Sequence, residues 1–401
     1  MHYNNVILLL VFLLLNCTSK NDHKTINYQQ MLTDVLTLEM TIGGENAAQK
    51  NEYLLVHPTE IAVNDKNEIF ICDENRIKVY GMNGTEKRIV GNPGSGPGEF
   101  EEDLRFANID LSNSGYLIIF IRGKYHIFSP EYKFIEKTSV SKDSKFKELI
   151  ASLEIKYPFI DGDNFISFNR GELVYSFQYY KNAEKPYDIL VYHSPDTIII
   201  IANYLRTSYI PVGGLDTPIL GRLYSAVLSG RRIVYAHAGN DYEIKDKKVN
   251  YMIHIYSLDT HMDTVIKHSY NQVEFPDSIY DEYNTDFWNK DTEMKKRRNA
   301  IINTLKTKKC FAPIRSIKTD GNIIFAFSYQ TNVKGECLTD LFDANAGDYL
   351  RSVFFPEWLG YSGYLFDKSI IKDGYVYRIT SSEKEFAKIE KYRIDPKVYG
   401  K

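Results

Sequence analysis

Apolar and polar positions alternate along most of this chain in short runs, and turn residues break the runs at regular intervals. The stretch His57 to Phe100 holds four such runs, Glu60–Val63, Glu68–Cys72, Arg76–Tyr80 and Glu86–Val90. Alternation of this length predicts strands. Asn67 and Asn83-Gly84 mark tight turns between them, because both residue types tolerate positive φ. The same grammar returns five more times. A turn residue (Asn67, Gly115, Gly171, Gly230, Gly321, Gly374) is followed by an apolar strand. A later strand then ends in an aromatic (Tyr80, Phe128, Tyr192, Tyr256, Phe342, Tyr392) before another turn. Repeated four-stranded units of roughly 40–50 residues are the pattern of β-propeller blades. The expected fold is therefore all-β, a six-bladed β-propeller of four-stranded antiparallel blades. In the third unit Phe165–Phe168 fits either the first or the second strand.

The two ends of the chain fit that count. Only nine residues follow Tyr392, too few for a good outer strand in the last blade. Val35 to Ile42 is an isolated strand pattern ahead of the first blade. Pairing it into the last blade would close the ring and hide two sheet edges that otherwise invite aggregation. The aromatic markers advance by 48, 64, 64, 86 and 50 residues. In the longest step Tyr280, Phe287, Met294 and Ile301 recur every seven positions, joined by Tyr283 and Leu305, which is helical periodicity. Asp277 and Ser278 suit its start. A helical insertion over about 276–309 is expected between blades 4 and 5. Its basic run Lys295-Lys296-Arg297-Arg298 reads as a solvated face.

Val6 to Leu15 is an unbroken apolar run, followed by Asn16-Cys17-Thr18-Ser19-Lys20. A bilayer span needs about 20 apolar residues, so this run reads as the core of a signal peptide. The segment resembles a bacterial lipoprotein signal, cut before the cysteine, with Cys17 as the lipidated first residue. That resemblance implies a signal peptide over 1–16, a lipidated polar tether over 17–34 and the propeller over 35–401. It places the protein in the cell envelope, at the periplasmic or outer-membrane surface, with the membrane as a partner through the N-terminal lipid.

Composition narrows the classes further. The chain has 401 residues, with 49 Lys and Arg against 52 Asp and Glu, so no basic excess points to nucleic acid. A hydrophobic content of 43% excludes a largely disordered chain. A mean hydropathy of −0.34 excludes a multispanning membrane protein. The unusual count is 31 Tyr and 22 Phe, which favours strands. Beyond Cys17 there remain Cys72, Cys310 and Cys337. Cys72 lies in an apolar strand pattern and is expected as a buried thiol. Cys310 with Cys337 is the pairing to test for a disulfide. No Cys-x-x-Cys occurs, so a structural zinc site is not expected.

His57 to Phe100 resembles an NHL repeat. The matching features are His57-Pro58, Ile61-Ala62-Val63, Glu68-Ile69-Phe70-Ile71, Asp73, Asn75-Arg76-Ile77, Val79-Tyr80, Asn83-Gly84 and Gly94-Ser95-Gly96-Pro97-Gly98-Glu99-Phe100. With the signal segment, the chain looks like the bacterial six-bladed β-propeller lipoproteins. The first blade matches closely and the others by rhythm. The resemblance implies the fold and leaves the function open.

The chemistry-bearing motifs are few. Gly91 to Gly98 is glycine-rich but lacks the Gly-Lys-Ser/Thr of a phosphate loop, and strand patterns flank it. Asp343 to Asp348 has its glycine one position early for a calcium loop, and Phe354 stands where a bidentate Glu is required. It reads as a hairpin turn. Metal catalysis in a propeller needs His or carboxylates repeated at the inner strand ends. His57 has counterparts Phe106, Leu223 or Tyr224, and Ile314 or Arg315, while His237 has Asp73, Arg122, and Ser328 or Tyr329. No ring of ligands emerges, and no Gly-x-Ser-x-Gly elbow occurs. What remains is Asp73, Arg76, Arg105, Arg122, Tyr329 and Arg378 at predicted loop and strand ends. Converging at one channel mouth, they would suit an anionic or carbohydrate-like ligand. The expectation is a monomeric, non-catalytic binding or interaction scaffold with a protein or carbohydrate ligand and no cofactor, metal or nucleic acid. A metal-dependent, lactonase-like hydrolase or lyase at the channel mouth is the alternative.

Overall fold

The computed structural model describes residues 31–44, 51–112, 114–155, 158–182, 185–210, 215–245, 248–360, 368–382 and 385–401. The segments 1–16 and 17–30, with Cys17, lie outside the described residues. No described helix is long and apolar enough to cross a membrane.

The chain is a six-bladed β-propeller. Blade 1 consists of Glu60–Val63, Ile69–Asp73, Arg76–Tyr80 and Glu86–Val90, and blade 2 of Ala107–Leu111, Leu117–Ile121, Lys124–Phe128 and Phe134–Ser139. Blade 3 consists of Phe159–Asn169, Glu172–Asn182, Lys185–His193 and Ile198–Leu205. Blade 4 consists of Leu223–Leu228, Arg232–His237, Lys248–Ser257 and Asp263–Tyr270, and blade 5 of Ser316–Asp320, Ile323–Thr331, Glu336–Asp343 and Asp348–Pro356. Blade 6 takes three strands from the C-terminal end, Ser369–Lys372, Tyr375–Ser382 and Glu385–Ile394. Its outer strand is Leu36–Gly43 from the N-terminal side, antiparallel to the third strand from Leu36 opposite Ile394 to Gly43 opposite Lys388. The ring is thus closed in the way the short C-terminal remainder predicts.

The second strands explain why the blades stack. Ile69-Phe70-Ile71-Cys72 and Leu117-Ile118-Ile119-Phe120-Ile121 are apolar at every position and buried throughout. A strand with a sheet packed on each face needs apolar side chains on both. The period of two divides them between neighbours. Phe70 and Cys72 pack with Leu117, Ile119 and Ile121 of blade 2, while Ile69 and Ile71 pack with Tyr377 and Ile389 of blade 6. Ile118 and Phe120 face Tyr175 and Phe177 of blade 3. Comparable clusters join blades 3 and 4, 4 and 5, and 5 and 6. Each fully buried Ile or Phe adds about 1.5–3 kcal/mol, so the stability is spread evenly around the ring.

The turn between first and second strands carries the sequence rhythm. Asn67, Gly115, Gly171, Gly230, Gly321 and Gly374 all have positive φ, from 57° at Asn67 to 80° at Gly115. A left-handed residue there matches the twist of a tight hairpin. The six marker aromatics all lie in third strands. The long first strand of blade 3 takes in Phe165–Phe168, which settles that segment's place.

Three features go beyond the four-stranded plan. In blade 4 a fifth strand, Tyr242–Lys245, pairs with the third strand alongside Arg232–His237, so the second-to-third hairpin is long. A helix at Ser144–Ser152, between blades 2 and 3, is absent from the sequence expectation. Asp143 caps it by accepting from the Lys145 and Phe146 amides. The insertion between blades 4 and 5 is helical, with a 3-10 turn at Asp277–Tyr283 and helices at Asp286–Asn289 and Thr292–Lys308. Ile301 and Leu305 pack on Ile210 and Leu220 of the preceding link, with Tyr280 and Tyr283 alongside. Phe287 departs from the expected apolar stripe. It lies on the separate short helix and is 59% exposed. Cys72 is buried and free, and Cys310 and Cys337 are free thiols rather than a disulfide.

Candidate functional site

Each first strand starts at a blade-to-blade link, and the second-to-third hairpin returns to the same side. All six sequence candidates therefore fall on this link face. Being on one face does not bring them together.

Asp73 ends the second strand of blade 1. Its buried carboxylate accepts from the Val56 amide at 3.0 Å, the His57 amide at 2.7 Å and the Lys78 ammonium at 2.6 Å. Lys78 is 1% exposed. These bonds fasten the segment that leads into blade 1. Arg76 begins the next strand, and its Nε is buried with no hydrogen-bond partner among the described residues. Arg105 is exposed and pairs with Asp103 at 2.6 Å on a 3-10 turn. Arg122 is exposed in a hairpin turn with φ of 48°. None of these four lines the large link-face cleft.

Tyr329 does line it. The cleft has a volume of about 800 Å³ and lies between the helical insertion and blades 4 and 5. Tyr329 stacks on Phe311, with ring centroids 4.4 Å apart and planes 13° from parallel. The Arg315 guanidinium lies 5.2 Å from the Tyr329 ring centre and pairs with Glu357 at 3.1 Å. Phe275 meets Phe311 edge-on. The link residue after Glu357 is Trp358, and Arg378 lies over its ring at 4.3 Å. Arg378 also approaches Glu390 at 4.0 Å. Tyr329 and Arg378 are thus joined through one short link, Glu357–Gly360.

The rest of the cleft mixes apolar side chains, among them Ile219, Val273 and Ile279, with acidic ones. Asp216, Glu274, Glu282 and Glu357 face Arg315 alone among the lining charges. Burial by itself would raise the Asp216 carboxyl, but Arg222 and Arg206 outweigh it and hold it below the usual carboxylate range. Tyr283 is pushed up by burial and by Glu282, so its hydroxyl stays protonated. Sequence reasoning named Arg315 only as a counterpart of His57 and Tyr283 only within the helical pattern, and passed over Phe311, Glu274 and Glu357. The available signal was the aromatic and acidic content on both sides of the helical insertion.

The opposite end of the channel carries a second hollow of about 460 Å³. Its wall combines Ile61, Val63, Ile109 and Leu111 with Asp65, Asp110 and Lys372. Burial raises the Asp110 carboxyl against the hydrogen bonds it accepts from Ser167. The two histidines weighed in the sequence have structural partners. The His57 amide binds Asp73, and His237 is fully buried with Nε2 3.3 Å from Asp188. Among the described residues no three His, Cys, Asp or Glu side chains converge as a metal-binding set.

No protein-family model matches the chain. No curated protein matches it either. Solved structures align with much of the chain. A Bacteroides fragilis protein described as exported is 14% identical, covering 91% of this chain and 98% of its own, with a TM-score of 0.46. A gluconolactonase of Xanthomonas campestris is 8% identical over 84% of this chain and 86% of its own, with a TM-score of 0.40. A polysaccharide lyase is 11% identical over 84% and 77%, also at 0.40. At such identities and scores the likeness bears on neither activity nor location.

Proposed function

We propose that this chain is a lipid-anchored binding protein of the cell envelope that holds a hydroxyl-rich, carbohydrate-like ligand in the link-face cleft without transforming it. The observation that carries the reading is the stacked column of Phe311, Tyr329 and Arg315 on the wall of an 800 Å³ cleft with acidic groups around it. A cleft of that size suits a small ligand or a few sugar units. Aromatic side chains offer apolar surface to sugar C–H groups, and carboxylates accept hydrogen bonds from sugar hydroxyls. With Asp216 bound to Arg206 and Arg222, and Glu357 to Arg315, Glu274 and Glu282 are the lining carboxylates that disfavour a strongly anionic ligand. The anchor rests on the apolar run Val6 to Leu15, followed by Asn16 and Cys17.

The test is isothermal titration of the purified mature chain with neutral oligosaccharides. Saturable binding that Tyr329→Ala weakens by about tenfold or more, the scale of a lost aromatic contact, supports the reading. Metal-dependent turnover of lactones or glycans would replace it with catalysis. The anchor is tested separately. Cys17→Ala should release the protein from membranes, and retention would overturn that part.

A further inference from the structure

A second polar cluster lies on the inner strands of blades 5, 6 and 1. Lys318 is the third residue of the inner strand of blade 5. Its ammonium reaches across to blade 6 and donates to the Ser369 carbonyl at 2.6 Å. That is one of three N–H bonds, and the other two have no hydrogen-bond partner among the described residues. Ser369 opens the inner strand of blade 6 and is 7% exposed, yet its hydroxyl is buried without a partner. The preceding residue, Lys368, pairs at 3.1 Å with Glu60, the first residue of blade 1's inner strand.

These groups carry two positive charges and one negative charge. An orphaned hydroxyl and spare ammonium donors inside a fold are costly unless something accepts from them. Lys318 keeps partial exposure. Burial, then the charge of Lys368, lowers the Lys318 ammonium to about 8, while Glu60 opposes the shift. An anion beside it would relieve that pressure.

We infer that Lys318 and Ser369, with Lys368 beside them, form a site for a small carboxylate anion, distinct from the link-face cleft. The net charge of plus one matches a monocarboxylate better than a phosphate dianion. The two spare N–H groups and the Ser369 hydroxyl supply donors for its oxygens.

The test follows the Cε signals of the full-length mature protein labelled with ¹³C-lysine, titrated with acetate and, in parallel, inorganic phosphate. The expected result is a saturable shift at Lys318, a rise in its pKa when acetate binds, and tighter binding of acetate than of phosphate. Ser369→Ala should weaken acetate by at least about tenfold, the value of one hydrogen bond to a charged group. It should leave oligosaccharide binding in the cleft unchanged. Lys318→Met assigns the Lys318 signal by its loss, and in that variant the neighbouring Lys368 signal should no longer respond to acetate. If that variant does not fold, Ser369→Ala and the wild-type titration still decide. A Lys318 signal indifferent to acetate, or undiminished binding by Ser369→Ala, would overturn the inference, and tighter phosphate binding would overturn its ligand class.

Discussion

Replacing Asp73 with alanine separates a ligand-binding role from a structural one. The side chain is buried and accepts three hydrogen bonds, two from the backbone of the segment entering blade 1 and one from Lys78. Removing it leaves the Lys78 ammonium 1% exposed, with the Leu54 carbonyl and the more distant Glu74 carboxylate, 3.7 Å away, as remaining partners. Breaking a buried pair on one side costs about 3–5 kcal/mol. The total stability of a domain is about 5–15 kcal/mol. Asp73→Ala should therefore remove a large share of it. In the double variant Asp73→Ala with Lys78→Met the stranded charge is gone. The two amides then lose their acceptor and the Leu54 carbonyl its Lys78 donor, at about 1 kcal/mol each, with no uncompensated buried charge, so the double variant should be more stable than the single one. Equilibrium urea unfolding, followed by circular dichroism and by Trp288 and Trp358 fluorescence, reads both. An Asp73→Ala chain within about 1 kcal/mol of wild type would refute the reasoning. So would a double variant no better than the single.

Three further outcomes follow from the packing. His254 lies between Asp241 and Asp263, with Nδ1 2.8 Å from Asp263; burial alone would lower its pKa, but the two carboxylates outweigh this and raise it to about 9. A raised histidine stabilises fully below its ordinary value of about 6.5 and loses that contribution as pH rises through about 9. The wild-type urea midpoint should fall across that window more than that of His254→Gln, and parallel profiles would contradict it. Tyr251 donates to Asp340 at 2.7 Å across the boundary of blades 4 and 5. Tyr251→Phe should cost about 1.5–3 kcal/mol by urea unfolding, as for a lost bond to a charged group. Gly43 ends the closing strand at φ of +92°, and an added Cβ would sit 2.8 Å from the Ala387 carbonyl oxygen. Gly43→Ala should destabilise the ring by about 1–3 kcal/mol, and an unchanged thermal midpoint would argue against the closure as a stressed joint.

The repeat was legible because propeller blades impose two local requirements at once. A left-handed turn selects Asn67, Gly115 and their counterparts, and a strand buried on both faces selects unbroken apolar runs. Both leave marks within a few residues. The helix at Ser144–Ser152 was also written locally, in Asp143 as cap and Phe146, Leu149 and Ile150 as its apolar face, but its nine residues sit inside a strand rhythm that hides them. The cleft was not legible. Phe311, Tyr329 and Glu357 come from three separate segments, and only the ring geometry brings them together. Asp73 and Arg105 looked like mouth residues because a charged residue at a strand end has the same local appearance whether it meets a ligand or a neighbouring backbone. Lys78, buried in a strand, gives the better warning that Asp73 has a partner inside the protein.

The central claim is that the link-face cleft binds without chemistry. Its most direct measurement is a crystal of the mature chain soaked with a neutral oligosaccharide identified by titration, with mass spectrometry of the recovered ligand. The account predicts an intact sugar against Phe311 and Tyr329, with its hydroxyls on the cleft carboxylates. A ligand seated in the channel mouth instead, or recovered as cleaved product, would contradict it.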